Sequence, residues 1–381
     1  MSPNHIGGFM ARFSIATDDP GTVKLFSSRV ALDTRKKTYV SKLTGEEGSS
    51  MPFVTKTDME DGPGDEVTTT LIAKLRGKPA EGQEKLAGRV QKLSRATHKM
   101  RIDKHRVAVN VGDIMDQKRV TYSLPTQVRA RLSDWLAEIC DEQALMTASG
   151  ARGDGEEYQH YPIGYGGFPN PLRAPDANHY MVYDGSRTVA SLTAGDTLST
   201  LVLDKLKLRT TKQLGGVDQG KPIKMEPVNV GGGKYFLYMA APESMFDLRR
   251  DEGPSGWLTL EKARMAAVGN DTPIVKTAKI LHNNVLVDEM ETVVKFSTGY
   301  GAGATLPSVR NLFFGANAVA IAWGSKSRKE DGNRFEFMDA DEDYGEEDVM
   351  VVRMVAGWDK CTYLGQDFGV IANDLSFTKS T

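Results

Sequence analysis

Disulfide scaffolds and thiolate metal clusters are excluded first, because the 381 residues contain only two cysteines, Cys140 and Cys361. Cys140 stands beside an apolar stripe and Cys361 between two strand-like runs, so both read as small buried hydrophobes. No run of roughly eighteen apolar residues exists to cross a membrane, and Met1 to Pro20 lacks the basic-then-apolar order of a signal peptide, which points to cytoplasmic synthesis. Hydrolase signatures are missing as well. His5, His98, His105, His160, His179 and His282 are scattered without an H-E-x-x-H pair, and no serine stands in a G-x-S-x-G elbow. A net charge of −2 gives no chain-wide attraction to polyanions.

Three short motifs fail on context. Gly299, Gly301 and Ala304 fit G-x-G-x-x-A, but Pro307 interrupts the helix that a dinucleotide turn needs, so a surface loop is expected. Asp339, Asp341 and Asp343 are spaced like the first calcium-loop ligands, yet Tyr344 stands where glycine is required and Met350 where the last carboxylate belongs. Arg152-Gly153-Asp154 is an adhesion-like string too short to count. The expectation is therefore no catalytic, cofactor or metal site.

What the chain does have is unevenly placed charge. Residues 65–111 hold eleven Lys and Arg against five Asp and Glu, a surplus of +6 that leaves −8 on the remainder. Val67, Thr69, Leu71, Ala73 and Leu75 share one face of a strand expected from Val67 to Arg76. A return strand is expected from Thr97 to Val111, with Gly77, Pro79, Gly82 and Gly88 breaking the tip. A two-stranded ribbon has little core of its own, so something must cover it. Three covers fit: another subunit, its own domain, or nucleic acid tracked by Lys99, Arg101, Lys104 and Arg106. The last lacks interleaved aromatics for base stacking.

Directly after the ribbon comes the clearest helical period in the chain. Pro125 suits the first turn, and Val128, Leu132, Trp135, Leu136, Ile139 and Met146 make one stripe opposite Arg129, Arg131, Asp134, Glu138 and Asp141. Before the ribbon, Asp19-Pro20 opens a helical docking arm, and residues 44–64 form a Gly-, Asp- and Glu-rich lead-in. Residues 147–186, rich in glycine, proline and tyrosine, read as a packed loop. From Ser186 to Arg328 strand and helix alternate without a repeat, and two terminal strands follow around Gly357, so the class is α+β.

In this order the elements resemble the major capsid proteins of tailed double-stranded DNA phages, which have the Hong Kong 97-like capsid fold. The podophage-type family is the most similar, through Gly64-Asp65-Glu66-Val67, Leu75-Arg76-Gly77, Leu86-Ala87-Gly88, Arg101-Ile102-Asp103, Arg106-Val107-Ala108-Val109 and the tryptophan-bearing Leu132 to Leu136. The resemblance implies an N-terminal arm over 1–60, an extended β-hairpin loop over 61–115, and a peripheral domain over 116–185 with spine helix 125–146. It further implies an axial domain over 186–328 and peripheral return strands over 329–381.

Function and partners follow as expectations. The subunit self-assembles into pentamers and hexamers of an icosahedral virion shell enclosing double-stranded DNA, without sequence-specific binding and without a membrane. A separate scaffolding protein, a portal protein and room for decoration proteins are implied, with assembly in the host bacterial cytoplasm. Arg76, Lys78, Lys99, Arg101, Lys104 and Arg106 become intersubunit contacts of the extended loop, and Asp339, Asp341, Glu342 and Asp343 their acidic complement. Val128, Leu132, Trp135 and Ile139 form the spine-helix core. The rival reading is a phage tail or receptor-binding protein.

Overall fold

The long helix runs Leu124–Ser149 in this computed structural model, which describes residues 37–57, 64–72, 80–83, 85, 90, 95–119, 123–156, 158–212, 217–218, 221–222, 224–230, 233–252, 256–259, 280–324, 334–342 and 347–378. Its 26 residues span about 39 Å at 1.5 Å each. Pro125 occupies the first turn, where no N–H partner is needed, and Gly150 closes the helix at φ 70° with its N–H on the Met146 carbonyl. A Cβ at Gly150 would lie 2.0 Å from the Arg173 carbonyl oxygen, so this turn demands glycine twice over.

The expected stripe does face the core: Leu132 and Ile139 are buried, and Val128 and Trp135 pack half-buried beside them. The expected polar back does not persist. Every residue from Ile139 to Ser149 is buried, so Asp141, read from the sequence as solvent-facing, is internal. The arm preceding the ribbon is the reason. Lys37 bonds the Ala130 carbonyl and Ser133 Oγ and pairs with Asp134 at 2.7 Å, while the Tyr39 and Val40 N–H groups both donate to Asp141 at 2.9 Å. The helical stretch expected before Lys37 lies outside the described residues.

Two sheets grip this helix. In the first, Phe53–Lys56 and Val319–Trp323 run parallel, and Glu347–Lys360 continues antiparallel. Along one edge of Glu347–Lys360 lies Asp103–Asp113; along the other lie Val319–Trp323 and then Phe335–Glu342, because Val352 pairs with both Val107 and Phe337. The second sheet orders Ile280–His282, Val285–Glu289, Gly233–Ala240, Leu306–Phe314, Val370–Leu375 and Tyr180–Val182. One of its faces (Leu237, Met239, Leu312, Phe314, Ala372) joins the core around the long helix. The other (Phe236, Tyr238, Ala240, Phe313, Ile371) packs on Thr200–Lys212 and Pro242–Arg249, the period of two expected of strands covered on both sides.

Four sequence expectations are corrected here. Phe53–Lys56 is a fully buried central strand, not lead-in loop. The run Leu312 to Trp323 is split: Leu306–Phe314 belongs to the second sheet and Val319–Trp323 to the first. The last strand, Val370–Leu375, joins the second sheet instead of returning beside the long helix's first sheet, and Gly357 lies inside an unbroken strand. Finally, the return strand of the ribbon divides at Ile102 into Arg95–Arg101, paired with Glu66–Ile72, and Asp103–Asp113, paired with Glu347–Lys360. Buried strands are apolar on both faces, so their sequences carry no alternation that says which sheet they enter.

Candidate assembly surface

On the hairpin, alternate residues separate body from solvent. Val67, His98 and Met100 are buried; Val67 and Met100 pack with Ala320, Ala322 and Cys361 of the body. Glu66, Thr68, Thr70, Ile72, Arg95, Thr97, Lys99 and Arg101 face out. Ile102 turns inward, Asp103 and Lys104 are both exposed, and from there Lys104, Arg106, Ala108 and Asn110 face solvent while Val107, Val109 and Val111 lean on the helix core. This one-residue slip keeps the cations outward across two different sheets. Lys99 and Arg101 are 63% and 64% exposed, and their contacts with Glu66, at 3.9 and 3.8 Å, are surface pairs worth under about 1 kcal/mol each. Arg76, Lys78 and the expected tip at Gly77, Pro79 and Gly88 lie outside the described residues.

The opposite end of the same sheet is acidic. Asp341 pairs in register with Asp348, Glu342 with Glu347, and Glu347 in turn with Asp113. Asp339 lies two positions earlier opposite Met350, and Asp343 is outside the described residues. Lys104 and Asp113 stand nine residues apart on one strand, about 30 Å at strand rise. Screening over roughly 8 Å prevents the two poles from neutralising each other within one subunit.

Sequence reasoning missed the buried polar contacts that hold these surfaces in place. Arg310 makes a bidentate pair with Asp374 at 2.7 and 2.8 Å and reaches the Ser149 carbonyl, tying the helix end to the second sheet. Tyr180 and Tyr300 also donate to Asp374. Burial, then the Asp374 carboxylate, pushes the Tyr300 hydroxyl up to about 12, so it remains a donor throughout the physiological range. Glu142 accepts the Gln159 and His160 N–H groups, and Arg152 is buried with three loop carbonyls, which makes the Arg-Gly-Asp string a loop knot. Gly299 to Ala304 turns between strands Lys295–Tyr300 and Leu306–Phe314, with no helix after it. Among the described residues no three His, Cys, Asp or Glu converge as metal ligands, and no helix is long and apolar enough to cross a membrane.

Asp141 gives a pH-linked prediction. Burial outweighs its two backbone donors and nearby Lys42, pushing the carboxyl up to about 6. A carboxyl raised in the folded state adds stability below its unfolded value near 4, and that stability is lost as pH rises through 6. Asp141→Asn carries no such titration. Its stability relative to the parent should therefore rise by about 2 kcal/mol between pH 4 and pH 7, read by urea unfolding; a pH-independent difference would contradict the assignment.

Two sheets around one long helix, with a charged hairpin laid on the body, make up an α+β subunit. Its architecture is the Hong Kong 97-like capsid fold. A family model described as phage capsid protein matches residues 14–376. The chain is 32% identical to the capsid of Ralstonia phage GP4, with 97% of this chain and 99% of that one covered at a TM-score of 0.79. It is 24% identical over 338 residues to the major capsid protein of Pseudomonas phage KPP25, covering 84% of this chain and 85% of that protein. The head structure of Helicobacter pylori bacteriophage KHP40 shares the fold at 14% identity and a TM-score of 0.62, covering 89% of this chain and 92% of that one.

The chain belongs to the phage capsid protein family and is a major capsid protein, a homo-oligomeric component of the virion shell. The tail-protein alternative is set aside, since these neighbours are capsids.

Proposed function

We propose that the basic strip Arg95, Lys99, Arg101, Lys104 and Arg106, continued by Arg76 and Lys78, grips the acidic corner of an adjacent copy, Asp339, Asp341, Glu342, Asp343 and Asp348. The observation that carries this is the backbone register that sets acidic positions opposite one another at one end of a sheet whose other end bears the exposed cations. Such a contact is head-to-tail, so copies joined by it close into rings; we read these as the pentamers and hexamers of an icosahedral shell. Many weak contacts then add across the shell. Double-stranded DNA is enclosed without sequence-specific binding and without catalysis, with a separate scaffolding protein, a portal protein and decoration proteins as partners and assembly in the host cytoplasm. The two-unit division at 186–328 belongs to the same proposal, redrawn so that 319–323 stays with the first sheet while 180–182 and 370–375 go with the second.

Charge reversal tests it. Lys99→Glu with Arg101→Glu should leave a folded subunit whose shell yield falls at least tenfold. Adding Asp341→Lys and Asp348→Lys to the same chain should recover shells. Unchanged yield and diameter after the first reversal would remove the ionic clamp.

A further inference from the structure

At Arg101, where the hairpin strand ends, one side chain from a distant loop bonds the hairpin backbone. Asn170, in the loop after the long helix, is buried, and all three of its side-chain hydrogen bonds go to other elements. Its Oδ1 accepts the Arg101 N–H at 2.8 Å, and its Nδ2 donates to the Arg101 carbonyl at 2.8 Å and to the Trp358 carbonyl at 3.1 Å. The two bonds to Arg101 reproduce what a neighbouring strand would supply to one residue of a ladder. Arg101 is the last residue of the hairpin strand, immediately before the residue at which pairing changes from one sheet to the other. A ladder switch leaves a backbone N–H and C=O without strand partners, and buried groups of that kind must be satisfied.

The rest of the root is equally confined. The Ile102 N–H donates to the Asp65 carbonyl at 3.0 Å. A Cβ at Gly357 would lie 2.0 Å from the Arg101 carbonyl oxygen, so the strand Glu347–Lys360 approaches the root only because it carries glycine there. Three residues before Arg101 on the hairpin strand, His98 lies 3.3 Å from Asp359, whose other oxygen takes the Arg173 guanidinium at 2.5 Å. The contacts of Asn170, like those of Asp359, join the hairpin, the strand Glu347–Lys360 and the loop, but only those of Asn170 reach the backbone of Arg101.

We propose that Asn170 is the positioning residue of the assembly arm, fixing the direction in which the hairpin projects toward a neighbouring copy. This rests on the reading of the hairpin as a bridge between subunits. A loop-stabilising residue would bond its own loop; Asn170 instead spends its amide on the hairpin root and the strand beneath it. Fixing the direction in advance removes an ordering cost from every intersubunit contact.

The test is hydrogen exchange on full-length unassembled subunits of Asn170→Ala, followed by assembly. Tyr161→Phe, which removes one hydrogen bond elsewhere in the same loop, is the control. Protection of the Arg101 and Ile102 amides should fall tenfold or more in N170A, with the Leu306–Phe314 amides within twofold of the parent and Tyr161→Phe unchanged at the root. Gly357→Ala should loosen the same two amides by steric displacement, and it decides the matter if N170A does not fold. Parent-like protection at Arg101 and Ile102 in the folded variants overturns the inference. If the root loosens and shells of normal diameter still form at parent yield, Asn170 positions the hairpin as inferred, and it is the bridging role of the hairpin that fails.

Discussion

Replacing residues 71–96 with an Asn-Gly turn should leave a folded subunit that builds no shells. The cut is placed by register: Thr70 pairs with Thr97, so a two-residue turn can close the shortened hairpin there. Val67, His98 and Met100 remain to cover Ala320, Ala322 and Cys361, so the body keeps its packing. What is lost is the segment 71–96, whose described residues Ile72, Lys85, Val90 and Arg95 are exposed. Urea unfolding should stay close to that of the parent while sedimentation shows complete loss of particles. Normal particles from the shortened chain would show that the ribbon has no part in joining subunits.

Asp374→Ala should be the most damaging single substitution in the body, at about 3–5 kcal/mol, because it strands the buried Arg310 guanidinium without its counter-ion. Tyr180 and Tyr300 lose their shared acceptor at the same time. That is a large part of a total stability of about 5–15 kcal/mol. The double substitution Arg310→Met with Asp374→Leu removes both charges and should recover most of the loss. A loss below about 1 kcal/mol for Asp374→Ala, measured by urea unfolding, would mean that the pair does not fasten the helix end to the second sheet.

The elements legible in the sequence were those whose chemistry is local. The stripe Val128, Leu132, Trp135 and Ile139, with proline before it and glycine after it, placed the long helix to within about a turn. Charge along the ribbon placed the basic strip, because cations that avoid burial must face solvent whichever sheet carries them. What was not legible depends on partners distant in the chain. Asp141 looks like one more solvent-facing carboxylate until the arm at Tyr39 and Val40 lies over it. Val319–Trp323 and Val370–Leu375 look alike as short apolar runs, and only pairing assigns them to different sheets. Ile102 interrupts an otherwise regular alternation by a single residue, a change too small to announce that one strand is really two.

Among the acidic positions, Asp341 and Glu342 were singled out for their charge, while their register in the sheet was not legible. They stand opposite Asp348 and Glu347, which no spacing rule within either strand reveals. Asn170 carried no sequence signal at all, since a lone asparagine in a glycine-rich loop ordinarily serves a turn.

An electron cryo-microscopy reconstruction of assembled particles tests the central claim most directly. The account predicts closed shells in which Lys99, Arg101, Lys104 and Arg106 of each hairpin lie within ion-pairing distance of the Asp341 to Asp348 corner of a neighbouring copy. Shells in which each hairpin lies over its own body, with no neighbouring carboxylate near those four cations, would contradict it.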